Sequence, residues 1–107
     1  MCGISGFNWK DERTAALMVQ ALSHRGPDAD GIFVDEGISL GHNRLSIIDL
    51  SADANQPMYD TARELVIVFN GEIYNFQEIR KERGAEYAFS TKSDTEVILA
   101  GYKKWGK

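Results

Sequence analysis

The sequence predicts a mixed α+β chain, or a layered α/β one, from three observations. The continuous apolar run Leu65-Val66-Ile67-Val68-Phe69 has the make-up of a strand buried on both faces. Ala15, Leu17, Met18, Ala21 and Leu22 recur on one helical face. Two stretches, Asn75-Phe76-Gln77-Glu78 and Ser93-Asp94-Thr95-Glu96, read as helix starts with a capping side chain and its partner glutamate three residues on. The resulting order is strand, helix, several strands, helix, helix.

In chain order, residues 4–9 are a short apolar stretch interrupted by Ser5 and Gly6, consistent with a buried strand. Asp11 is placed to cap the first helix, and Gly26-Pro27 is expected to stop it. Ile32-Phe33-Val34 and residues 38–50 read as strands joined through the turn residues Asp35-Glu36-Gly37. Residues 51–61 read as a loop. After the apolar run, Asn70-Gly71 is by itself a strong hairpin signal, but the helix start at Asn75 competes with it. That helix is expected to end near Gly84. Behind the last capping sequence, Val97, Ile98, Tyr102 and Trp105 form an apolar stripe.

Composition narrows the class of function. With 43% hydrophobic and 26% charged residues, the 107-residue chain is globular rather than disordered, and its length suits at most one domain. A net charge of −4 carries no electrostatic footprint for nucleic acid. No apolar run is long enough to span a membrane, and Met1-Cys2-Gly3-Ile4-Ser5 lacks the basic region of a secretory signal. A single cysteine forms no intrachain disulfide, so the cytoplasm is the expected compartment. His24 and His42 suggest no metal, since CxxC, HExxH and a close acid–His cluster are all absent. There is no Gly-rich phosphate loop, and no cofactor is expected in this segment.

Chemistry centres on Cys2. Removal of Met1 would leave a thiol and a free α-amine on one residue. Such an amine has a pKa of about 7.7–8.0, so a fraction is neutral and can accept the thiol proton, directly or through water. The competing reading is a small buried cysteine in an edge strand.

Several blocks bear on that choice. Met1-Cys2-Gly3-Ile4 resembles the opening of class II, N-terminal-nucleophile (Ntn) glutamine amidotransferases. His24-Arg25-Gly26-Pro27-Asp28 is similar to the first internal motif of the asparagine synthetase branch. Arg44-Leu45-Ser46-Ile47-Ile48-Asp49-Leu50 with Gln56-Pro57-Met58, then Asn70-Gly71-Glu72-Ile73-Tyr74-Asn75, then Ser93-Asp94-Thr95-Glu96-Val97-Ile98 with Tyr102 and Trp105-Gly106, resemble the next three. The blocks stand in family order and span essentially the whole chain.

The resemblance implies an α+β layered sandwich, the N-terminal portion of the Ntn-hydrolase αββα glutaminase fold. Residues 1–107 would be a partial glutamine amidotransferase domain. It implies that Cys2 attacks the side-chain carboxamide of L-glutamine, and that the Asn70 side chain and the Gly71 N–H bind the oxyanion. Arg44 would hold the α-carboxylate through a two-pronged contact that lysine cannot make, with Leu45 and Ile47 helping through their backbones. Asp94 would pair with the α-ammonium, with Glu72 as a second acid on that side. An acid at a helix start is also favoured by the helix dipole, and both readings hold together. Arg25 lines the site or is a cation at a helix C-terminus.

Two departures stand out. The interval between Asn75 and Ser93 is about one residue shorter than the family pattern, and Arg83 falls where an apolar residue is usual. The resemblance also places further core strands, and an ATP- and Mg-dependent synthetase domain that amidates aspartate, beyond Lys107. A synthetase domain or a second chain completing the fold is therefore an expected partner. An isolated short chain is expected to fold poorly, self-associate or pair with another chain through its unpaired strand edges, with low glutaminase activity. Alternative readings keep the glutaminase but change the acceptor, or make the chain an inactive fragment or interaction partner.

Overall fold

A computed structural model describes residues 2–47 and 50–106. Its first part is a three-stranded antiparallel sheet of β1 (Gly3–Phe7), β2 (Ala29–Asp35) and β3 (Ile38–Arg44), with β3 in the middle. β2 and β3 form the expected hairpin. Asp35 pairs with Ile38, so Glu36 and Gly37 make the loop, and Gly37 at its second position takes a positive φ of +80°, which glycine adopts without steric cost.

Helix α1 (Glu12–Ala21) lies on this sheet. The Asp11 carboxylate accepts from the Thr14 amide at 3.0 Å and the Thr14 hydroxyl at 2.6 Å, the cap anticipated for it. Ser39 ties the cap to the sheet, donating to the Trp9 carbonyl and accepting from the Asp11 amide. Ala15 and Val19 are the buried face of the helix, and Val19 packs over Gly41, where a Cβ would come within 2.5 Å of its methyl. The helix ends at Ala21, ahead of Gly26-Pro27. The Leu22 amide bonds to both the Met18 and Val19 carbonyls, and the chain tightens through Ser23 to Gln20 and Arg25 to Leu22.

The second part pairs β4 (Met58–Tyr59) with β5 (Val66–Ile67), antiparallel, beneath α3 (Thr95–Trp105). A 3-10 turn at Ala52–Ala54 supplies Ala54, which packs with Met58, Leu99, Leu65 and Ile67. Helix α2 (Phe76–Arg83) packs on α3. The result is an α+β domain of small antiparallel sheets and helices. No helix among the described residues is long and apolar enough to cross a membrane.

Several local expectations are corrected. β3 stops at Arg44 instead of running to residue 50, because side chains take the next two amides: Cys2 Sγ accepts from Leu45 and Asp28 Oδ2 from Ser46. Ile48 and Asp49 lie outside the described residues. The loop 51–61 contains the 3-10 turn and β4. The run 65–69 is half-buried throughout, not buried on both faces, and only Val66 and Ile67 join a ladder. Its ends bond to side chains and turn atoms: Leu65 to Asp60, Phe69 to His42 and Gln56.

Neither predicted capping box forms. Asn75 caps α2 through its carbonyl alone. At α3, Glu96 turns away from Ser93 and binds the amides and hydroxyls of Ser90 and Thr91, while Ser93 Oγ accepts from the Thr95 amide. The buried apolar residues of α3 are Val97, Leu99 and Ala100; Tyr102 and Trp105 are exposed. Arg83, the out-of-pattern residue in α2, is buried, with its guanidinium on Glu86 at 2.8 Å and facing the Trp105 ring.

Gly26 holds the segment after α1 against β3. Pro27 bridges to Arg44, and the Asp28 amide donates to the Arg44 carbonyl at 3.0 Å. A Cβ at residue 26 would run into the Asn43 carbonyl group and the Arg44 nitrogen, both backbone. Gly26→Ala should therefore destabilise the fold by at least the ~1–3 kcal/mol of ordinary overpacking. A urea midpoint unchanged from the parent would show that the two backbones do not approach so closely.

Candidate functional site

The register of the first sheet brings the start of the chain to the end of β3. Gly3 pairs with Asn43, so Cys2 lies beside Arg44 and Leu45. Its Sγ accepts from the Leu45 amide at 3.3 Å and stands 3.7 Å from the Leu45 carbonyl. Met1 lies outside the described residues.

A cavity of about 120 Å³ opens at this point. Cys2, Arg44, Leu45 and Ile47 form one side of its lining. Asn70, Gly71 and Glu72 arrive from the segment after β5, and Asp94 from the start of α3. All the residues singled out from the sequence as nucleophile, oxyanion donors and substrate ligands therefore border one space, although they are spread over residues 2–94.

Arg44, Asp94 and Gly71 are held by identifiable contacts. Arg44 is buried, and its Nη1 donates to the Ser51 carbonyl and to Asn55 Oδ1, each at 2.6 Å. These bonds orient the guanidinium at the cavity wall. Asp94 is buried at the cap position of α3, yet makes no side-chain cap bond. Its Oδ2 accepts instead from the Ile73 amide at 3.0 Å, tying α3 to the segment that carries Asn70, Gly71 and Glu72. Asn70-Gly71 is not a hairpin loop, since the partner of β5 is β4, which precedes it. Gly71 lies against the Phe69 ring, and a Cβ there would stand 2.8 Å from the ring tip. Ile47, Gly71 and Glu72 are the exposed members of the lining. The space thus has a fixed cation from β3 and two carboxylates from the other elements.

His24 and Arg25 are exposed and do not line the cavity. Among the described residues no group of three or more His, Cys, Asp and Glu side chains is arranged to hold a metal.

The cavity is also lined by Ala54, Gln56, Phe69, Ser93 and Thr95, which had not been singled out as site residues. Gln56, Ser93 and Thr95 lie within the sequence blocks that carry the resemblance, and that was the signal available for them. All three are polar and buried, and all three are hydrogen-bonded, as buried polar groups generally are.

Behind the wall lies His42, fully buried in β3, with Nε2 3.2 Å from the Phe69 carbonyl. Burial holds the ring below its ordinary pKa of 6.5; the bond to Phe69 opposes this and the Arg44 charge adds to it. The unfolded chain therefore takes up this proton more readily than the folded one. The stability contributed by neutral His42 is intact above pH 6.5 and falls as the pH drops below it towards the folded pKa. Urea midpoints at neutral pH and in mild acid should differ less for His42→Gln than for the parent. An equal difference in both would show that His42 plays no part in acid sensitivity.

The chain is also similar to known proteins along its whole length. A family model described as a glutamine amidotransferase domain matches residues 1–107. The chain is 44% identical to asparagine synthetase B [glutamine-hydrolyzing] of Escherichia coli (strain K12), over 99% of its own length and 20% of that protein. It is 45% identical to asparagine synthetase [glutamine-hydrolyzing] 1 of Bacillus subtilis (strain 168), over 98% of itself and 18% of the relative. It is also 45% identical to amidase chyE of Penicillium rubens, over 99% and 18% respectively. The chain spans about a fifth of the length of these curated relatives. With its whole length matched, the chain belongs to the glutamine amidotransferase domain family.

Proposed function

We propose that this chain binds L-glutamine and hydrolyses its side-chain amide to glutamate and ammonia, with Cys2 as nucleophile once Met1 is removed. The observation that carries the reading is the convergence of Cys2, Arg44, Asn70, Gly71 and Asp94 on one cavity. A free amino acid needs a cation for its carboxylate and an anion for its ammonium. Arg44, with Leu45 and Ile47 beside it, and Asp94, with Glu72, supply the two ends.

The reacting amide then lies towards Cys2. The α-amine accepts the thiol proton, and the thiolate attacks the carboxamide carbon. The Asn70 side-chain amide and the Gly71 N–H donate to the oxygen as it gains charge. The amine returns its proton to the departing nitrogen, ammonia leaves, and water cleaves the thioester to release glutamate.

In this reading the chain is the first part of an αββα glutaminase sandwich in the cytoplasm. Its ammonia supplies the ATP-dependent amidation of aspartate in a synthetase domain outside these residues. ATP and Mg belong to that domain, and this segment needs no cofactor. A second reading keeps the glutaminase and changes the acceptor; it is favoured by the similarity to a relative named an amidase, as high as that to the synthetases. Glutamate release measured alongside calorimetric binding of glutamine tests the proposal. Binding and release specific to glutamine are expected, and a folded, Met1-processed chain that does neither would overturn it.

A further inference from the structure

We propose that His42 and Gln56 are positioning residues that place Asn70 and Gly71 by holding both backbone groups of Phe69, an inference that rests on the glutaminase reading above. The β4–β5 ladder ends at Ile67, so Phe69 has no strand partner for its peptide groups. Two side chains take over. The Phe69 amide donates to Gln56 Oε1 at 2.6 Å, and its carbonyl faces His42 Nε2 at 3.2 Å. Because that nitrogen meets an acceptor, it carries the ring proton.

Both side chains are buried, and the low local dielectric strengthens these bonds. They leave Phe69 little freedom, and the next residue is Asn70. The Phe69 ring in turn supports Gly71. The clamp also links the elements around the cavity. His42 lies in β3 two residues before Arg44. Gln56 Nε2 donates to Thr95 Oγ1 at 3.3 Å, one residue after Asp94. One chain of contacts therefore joins the carboxylate-binding strand, the oxyanion segment and the ammonium-binding helix.

Oxyanion donors act only if they stand ready before charge develops, and an ångström of misplacement costs about a hundredfold in rate. His42→Leu and Gln56→Leu should therefore lower kcat for glutamine hydrolysis by about tenfold to a hundredfold, with KM little changed. His42→Gln, whose amide can present an N–H near the place of Nε2, should recover most of the loss. The shorter His42→Asn should not. Amide exchange at Phe69, read by NMR, should accelerate in Gln56→Leu and needs no turnover.

Folded leucine variants with unchanged kcat would overturn the proposal, as would a rise in KM alone or equal impairment of His42→Gln and His42→Asn. If a leucine variant fails to fold, the Gln and Asn pair at residue 42 decides. A parent chain that releases no glutamate counts against the glutaminase reading. The Phe69 exchange rates then still report on the clamp, and slow exchange in Gln56→Leu would overturn it.

Discussion

Cys2→Ala should abolish glutamate release from glutamine while leaving glutamine bound. The thiol is the only nucleophile proposed for the cavity, and no other residue there supplies a sulfur. The groups assigned to the two ends of the amino acid, Arg44 and Asp94, are anchored by Ser51, Asn55 and Ile73 rather than by Cys2, so the binding geometry should survive. Removing the thiol costs the fold one weak contact with Leu45. The same variant should resist labelling by a glutamine-like electrophile. Retention of Met1 should have nearly the same effect, because it turns the α-amine into an amide without a basic lone pair. The active fraction should accordingly have the mass of a chain beginning at Cys2. Continued hydrolysis by folded Cys2→Ala would end the proposal.

Asn70→Ala should lower kcat by about 10²–10³, or ~2.7–4 kcal/mol of barrier, the usual cost of one oxyanion donor. KM should change little, because the oxygen gains its charge only as the tetrahedral intermediate forms. The Gly71 N–H remains and preserves part of the catalysis. Arg44→Lys should show the opposite split. It keeps a positive charge but loses the planar fork that grips a carboxylate, and one of its nitrogens must also serve Ser51 and Asn55. KM should rise more than kcat falls. Thermal melts separate this from unfolding, since Arg44 is buried. If Asn70→Ala raises KM and leaves turnover intact, the oxyanion role belongs elsewhere.

The candidate site residues could be picked out because their blocks are short, ordered and chemically specific. Cys2, Arg44, Asn70, Gly71 and Asp94 could be named from the sequence, and all border one cavity. Arg25 could not be assigned from its neighbours alone and proves to be exposed and away from the lining. Gln56 was visible as part of a block but not as a site residue. A glutamine before a proline has no distinctive pattern, and its meaning comes from partners 13 and 39 residues further on. The capping boxes at Asn75 and Ser93 misled for a related reason. The local partner was available, but Glu96 found four donors at Ser90 and Thr91 and went there.

By itself the sequence determined what depends on near neighbours. Asp11 caps α1 through Thr14, Gly37 turns the β2–β3 hairpin, and the helices begin close to Asn75 and Asp94. Each rests on residues a few positions apart, whose reach is set by backbone geometry alone. The family, too, could be read from the linear order of its blocks. Tertiary structure alone decided where strands end and what surrounds the cavity. β3 stops because Cys2, 43 residues before Leu45, and Asp28, 18 before Ser46, capture its next amides. The apolar run 65–69 pairs for only two residues because Asp60, Gln56 and His42 take up the backbone groups on either side. A buried donor or acceptor must find a partner, but which one it finds depends on how the packed elements bring distant residues together.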